Sequence, residues 1–152
     1  MMDELTMARA LHVLAVVGWI GGVYLVTLVV LPAIRGEAGQ VERFEEIESH
    51  FGLHAKILTL LAGASGFYML YLLDAWGRYA SLEFWWVHAM TLIWALFSLV
   101  LFVLEPWFLH AWFKQCTERD PDETFAWVTR FHQILLAASL ITIAGAVIGV
   151  HG

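Results

Sequence analysis

The stretch ALHVLAVVGWIGGVYLVTLVVLPAI, residues Ala10–Ile34, decides the fold because it carries no formally charged side chain. A helix needs about 20 mostly apolar residues to cross the hydrocarbon core of a bilayer. Pro32, Arg35 and Gly36 mark the end of this run. We therefore interpret it as the first of several transmembrane helices.

Three more segments have the length and composition of spanning helices. Of the 152 residues, 61% are hydrophobic and only 14% are charged, which is far more apolar than a soluble domain of this size. Runs this long and this uniformly apolar do not fit barrel strands, which are shorter and alternate in polarity. The sequence predicts one all-α domain over residues 1–152, an integral membrane up-down four-helix bundle. Its predicted spans are about 8–34, 53–73, 83–113 and 123–150.

The connections between these spans differ in character. Gly39–Phe51 has apolar residues at helical spacing among acidic ones, which predicts a separate amphipathic helix lying at the membrane interface between spans one and two. Loops are expected over 74–83 and 114–124. Within the second, Asp120-Pro121-Asp122-Glu123 predicts a helix start, with a cap residue, a proline and acids.

The basic residues predict an orientation and exclude one class of partner. Six of the eight Lys and Arg residues lie around the first and third connections, and two lie on the opposite side. The excess of positive charge marks the cytoplasmic side, so both termini are expected outside a plasma (bacterial inner) membrane. The net charge is −6 and no basic stripe exists, so nucleic acid is not expected as a partner. Lys56 and Arg130 are expected to snorkel to lipid headgroups.

Histidines are the informative polar residues, because ionisable side chains inside a membrane are costly and usually face a bundle interior. Four of the seven occur one per predicted span: His12, His54, His88 and His132. With alternating helix directions, His12 and His88 lie toward the outer side, whereas His54 and His132 lie toward the cytoplasmic side. Each pair sits on diagonal helices at similar depth. This pattern predicts two bis-imidazole iron sites, as in haem-binding helical bundles.

Neighbouring residues fit this hypothesis. Trp19 lies two turns after His12 on the same helix face and is a candidate to pack on a porphyrin edge. Gly22 is one of several small residues that would leave room for a flat ring. Arg9, three residues before His12, is a candidate partner for a haem propionate.

The first span also resembles the opening helix of known families over about Ala10–Pro32. A histidine, several apolar residues, Trp19 and a glycine pair are similar to the start of the copper resistance protein D (CopD-like) families and of the HemJ-type protoporphyrinogen oxidases. The first resemblance implies copper transport or tolerance, and the second implies a haem protein in porphyrinogen oxidation. In both, His12 is the implied ligand. Since methionine and cysteine are scarce near the spans, a histidine-only set suits iron porphyrin better than Cu(I).

The sequence thus predicts a membrane b-type cytochrome with one or two haems, carrying electrons to or from a quinone or a redox partner protein. The open alternatives are a CopD-type copper protein, a HemJ-like oxidase and a cofactor-free scaffold subunit of a larger complex, and a homo-oligomer is also open. The chain shows no nucleophile–base pair or phosphate loop, so an enzymatic role, as a membrane oxidoreductase, is left undecided.

Overall fold

A computed structural model describes residues 3–151, except for the side chains at positions 110, 150 and 151. The described chain is helical throughout and contains no β-strand. Four helices are long and apolar enough to cross a membrane: span one, Glu4–Ile34; span two, Gln40–Leu72; span three, Leu82–Leu109; and span four, Pro121–Gly149. The prediction of an all-helical chain with four helices of this kind is confirmed.

Span one begins at a well-formed cap and changes its helical type near its end. Asp3 Oδ1 accepts a 2.7 Å hydrogen bond from the backbone N–H of Thr6, and hydrogen bonding to Thr6 holds the pKa of the Asp3 carboxyl below its ordinary value. The α-helix Glu4–Leu25 continues as π-helix over Val26–Val30 and as a last α-helical turn over Leu31–Ile34. Span one is therefore a single rod with a wider turn in its last third.

Span two departs from the prediction, because no separate interfacial helix precedes it. One α-helix runs from Gln40 to Leu72 without a break. The first apolar residues of the segment 39–51 do not face outward, although Phe51 is 40% exposed. Instead Val41 and Phe44 are buried against the end of span one and the start of span four, in a cluster that also includes Leu31, Ile34, Phe125 and Val128. Periodicity predicted the helix correctly but not what its apolar face contacts.

Spans three and four are joined almost without a loop. The α-helix Trp85–Leu99 widens into a π-helical segment, Val100–Leu109, which contains Pro106. A further α-helix, His110–Arg119, occupies most of the predicted loop 114–124. The helix Pro121–His151 then begins where the sequence predicted, and Asp120 Oδ1 accepts a 2.9 Å hydrogen bond from the N–H of Glu123.

Contacts between spans establish the up-down order. The start of span two packs on the end of span one, and the start of span three packs on the end of span four. The bundle thus has an N-terminal end, with Glu4 and the turn Leu73–Phe84, and an Arg35 end, with the turn Arg35–Gly39 and Asp120. A central core joins all four spans through Ala15, Trp19, Ile20, Ala62, Phe97, Leu135 and Leu136.

Candidate haem site

His12 faces span two near the N-terminal end of the bundle. Its Nδ1 lies 2.9 Å from the carbonyl oxygen of Ala62 and 3.2 Å from Ser65 Oγ. Because a carbonyl oxygen can only accept, Nδ1 carries the proton in this contact. Gly66 makes the approach possible, since a Cβ atom there would lie 3.1 Å from His12 Cε1. Span two therefore fixes both the tautomer and the orientation of the ring.

The other nitrogen of His12 remains available. Within the described chain, Nε2 has no hydrogen-bond partner. It is not fully buried either, so a ligand can reach it. A histidine that donates from one nitrogen to a backbone carbonyl and keeps the other free and unprotonated has the arrangement of a metal ligand. His12 meets this requirement.

His88, the predicted partner of His12, has different surroundings. Its Nδ1 lies 3.1 Å from the carbonyl of Phe84, and its Nε2 lies 3.2 Å from the carbonyl of Tyr79, in the turn before span three. The Tyr79 ring packs edge-on against the imidazole. Both nitrogens thus already face backbone acceptors, and no hydrogen bond or ring contact joins His88 to His12 in the described residues. Their pairing stays a prediction.

The second predicted pair is also unlike in its two members. His132 Nδ1 donates to the carbonyl of Val128 at 3.0 Å, its ring meets Phe44 edge-on, and its Nε2 has no partner among the described atoms. His54, by contrast, is exposed on the outer surface of span two. The structure therefore gives His132 the orientation seen at His12, whereas His54 lies away from the bundle core.

The three remaining site candidates lie on span one. Trp19 is 7% exposed and packs edge-on against Phe97, with ring centroids 4.8 Å apart. Its Nε1 is buried without an acceptor among the described residues. Arg9 is exposed and makes no ion pair there. Gly22 has open space, since a Cβ added to it would meet nothing within 4 Å.

Glycines elsewhere in the bundle receive tryptophan rings. A Cβ added at Gly63 would collide with the indole of Trp94, and the same holds for Gly145 with Trp85 and for Gly149 with Trp86. Trp94 is also held by a 2.9 Å hydrogen bond from its Nε1 to the carbonyl of Thr59. Gly63, Gly145 and Gly149 thus accommodate tryptophan side chains of span three rather than a flat porphyrin ring.

Two ionisable residues of the spans pair with each other. Lys56 Nζ of span two lies 3.2 Å from Glu105 Oε1 in the π-helical part of span three. Lys56, expected to snorkel to headgroups, is thus held by a protein carboxylate, and both side chains are about one third exposed, at 31% and 38%. Lys56 alone was considered from the sequence, and the pair was not predicted, because the rotation of the two helices is not visible in the spacing.

The fit of these residues to a haem is partial. The free Nε2 atoms of His12 and His132, together with the unpaired indole N–H of Trp19, fit a bound group with a metal and polar substituents. His88 has both nitrogens close to backbone carbonyls, and His54 lies on the exposed surface of span two, so neither adds a free nitrogen inside the bundle. Within the described residues, no three His, Cys, Asp or Glu side chains converge on one point. A bis-histidine haem needs only two protein ligands, so this last observation concerns other metal centres.

In comparisons with known proteins, the chain matches no family model, no curated protein and no solved structure. The resemblance of the first span to CopD-like and HemJ-type proteins therefore rests on its own residues.

Proposed function

We propose that the chain is a membrane b-type cytochrome in which His12 is the principal haem ligand. The observation that carries the proposal is the hydrogen bond from His12 Nδ1 to the carbonyl of Ala62, which leaves Nε2 free. Haem iron bound there would supply a one-electron couple in a low-dielectric site.

The residues around His12 have separate roles in this proposal. Ala62 and Ser65 hold the imidazole in the ligating tautomer, and the carbonyl contact raises the basicity of Nε2. Trp19 offers an N–H to a polar group inside the bundle. Arg9, exposed and unpaired within the described chain, offers a cation to a propionate at the interface. Span one thus supplies ligand, donor and cation from one side.

His88 would hold the same haem together with His12 if its Nε2 were released from the carbonyl of Tyr79. His132 supplies a second, independent site near the Arg35 end, with His54 as its sequence-predicted partner. Two such sites would carry electrons across the membrane to or from a quinone or a redox protein. In the proposed orientation the membrane is the bacterial inner membrane and both termini lie outside, because six of eight Lys and Arg residues flank the Arg35 end.

The test is an absorption spectrum of the detergent-purified protein, oxidised and reduced, with haem counted per chain. We expect a Soret band and sharp reduced bands in the wild type. His12→Ala should lose at least about nine tenths of the haem bound at this site, since the variant lacks the principal ligand that the proposal assigns to the iron. His50→Ala is the matched control, because His50 is exposed and its Nδ1 contacts only the carbonyl of Glu46 in its own helix.

Further variants separate the two sites and the two ligands. In His88→Ala we expect haem to stay on His12 but to change from low to high spin, because one axial ligand is lost. His132→Ala should remove the second haem and leave the first. A wild-type protein made with ample haem that shows no Soret band would contradict the proposal, and its copper content would then be measured.

A cofactor-free scaffold subunit is the second candidate, and a specific observation favours it. Trp85, Trp86 and Trp94 already fill the glycine surfaces of the neighbouring spans, so the bundle is closed without a cofactor. This candidate predicts a colourless protein whose stability in detergent does not change when haem is added. The same spectrum therefore decides between the two functions.

A further inference from the structure

A cavity of about 400 Å³ lies at the Arg35 end of the bundle, between the first turn and the start of span four. Arg35 lines it from the turn after span one, and Arg130 lines it from span four. Neither guanidinium makes an ion pair or a hydrogen bond within the described residues. Two uncompensated guanidinium groups beside one cavity favour an anion with several oxygen acceptors.

The wall of this cavity is built by a chain of polar contacts. The backbone N–H of Gly36 donates to Gln40 Oε1 at 2.9 Å, and Gln40 Nε2 donates to Asp122 Oδ1 at 2.7 Å. Gln40 is only 6% exposed. Gly36 has φ +80°, a conformation that glycine adopts without strain. The turn is thereby fixed to span four, and the only carboxylate lining the cavity is engaged by an amide rather than by an arginine.

The remaining lining has both polar and apolar character. Thr129 and Gln133 lie on either side of Arg130 along span four and can hydrogen-bond a ligand, whereas Phe125 and Ala126 supply an apolar surface. Arg130 lies nine residues beyond Pro121, about 13 Å along the helix from its start, so it is set back from the helix end. A ligand here would contact guanidinium groups and apolar surface together, as a phospholipid does.

We propose that this cavity binds the phosphate-bearing headgroup of an anionic phospholipid, held by Arg35 and Arg130. A free phosphate shares the charged part of this chemistry, but the apolar lining and the adjoining lipid-facing helices favour the lipid. Basic pockets between spanning helices on the side that carries the Lys and Arg excess are suited to such headgroups. The site is independent of haem and of His12.

The test is native mass spectrometry of the full chain released from detergent after incubation with phosphatidylglycerol or phosphatidylcholine. We expect the wild type to retain phosphatidylglycerol with at least about tenfold preference, and the double variant R35Q/R130Q to lose that preference, because charge-assisted hydrogen bonds to phosphate are lost. R119Q is the matched control: Arg119 lies at the same end, is exposed and does not line the cavity.

Other outcomes overturn the proposal. Equal retention of the two lipids by the wild type, or an unchanged preference in the double variant, would contradict a headgroup site. Displacement of phosphatidylglycerol by millimolar inorganic phosphate would assign the cavity to the free anion instead. The circular dichroism of each variant shows whether it is folded, and haem content in the same samples keeps this test separate from that of the proposed cytochrome.

Discussion

Span one and span three each place a histidine near the N-terminal end of the bundle, yet the two histidines differ in what surrounds Nε2. Span one keeps open positions: the free nitrogen of His12 and the unoccupied space beside Gly22. The corresponding positions of span three are already engaged: the Trp94 indole packs against Gly63, and both nitrogens of His88 lie close to backbone carbonyls. The two histidines therefore differ in how much of the imidazole the fold itself engages.

The largest effect on this comparison should come from the glycine that receives Trp94. Gly63→Ala should lower the free energy of unfolding by about 2–3 kcal/mol, because the new Cβ would occupy the space of the indole ring. Gly21→Ala, in span one, should change it by no more than about 1 kcal/mol, since nothing lies within 4 Å of the added atom. Unfolding in detergent with increasing dodecyl sulfate measures both. Equal effects would mean that span three packs no more tightly than span one.

Removing the His88 side chain should cause the next largest change in the free energy of unfolding. A neutral His88 donates to the carbonyl of either Phe84 or Tyr79, and His88→Ala removes that donor, so we expect a loss of about 1–3 kcal/mol of stability, whether or not haem is bound. The measurement is the same unfolding titration with haem-free protein. His50→Ala serves again as control. If His88→Ala is as stable as the wild type, the hydrogen bonds of His88 do not stabilise the fold, and the contrast with His12 no longer holds.

A smaller effect, of opposite sign, is expected in the turn that supplies the Tyr79 carbonyl. Asp74 has φ +47°, and the N–H groups of Asp74 and Ala75 bond back to the carbonyls of Tyr71 and Leu70. This is a helix end that favours glycine at the left-handed position. Asp74→Gly should therefore stabilise the protein by about 0.5–1 kcal/mol, seen as a higher midpoint of thermal unfolding. Gly36→Ala, at φ +80°, should shift the midpoint the other way.

The sequence predicted the number and approximate positions of the spans because length and apolar composition are properties of each segment alone. The start of span four at Pro121 was predicted for the same reason, since its cap residues are local. The helix over residues 40–51 was also predicted, but its continuity with span two was not. The sequence pattern of an amphipathic helix is the same whether its apolar face contacts lipid or, as Phe44 does, other spans.

The site was harder to predict because it depends on how each helix is rotated. Spacing placed His12 and His88 at similar depth but could not show that one faces Ala62 and the other the Tyr79 carbonyl. The sequence indicated small residues as room for a porphyrin and did not predict that tryptophans of another span pack against the glycines. Their pairing across spans, as with Trp85 and Gly145, is a tertiary property that no single segment contains.

The unbroken helix Gln40–Leu72 joins the two oriented histidines mechanically. It contacts His132 through Phe44 and His12 through Ala62, two positions that are 18 residues, or about 27 Å, apart on one rod. Because an uninterrupted helix of this length is stiff, a tilt or slide of span two would change the contacts of both imidazoles, those of His12 and of His132, together.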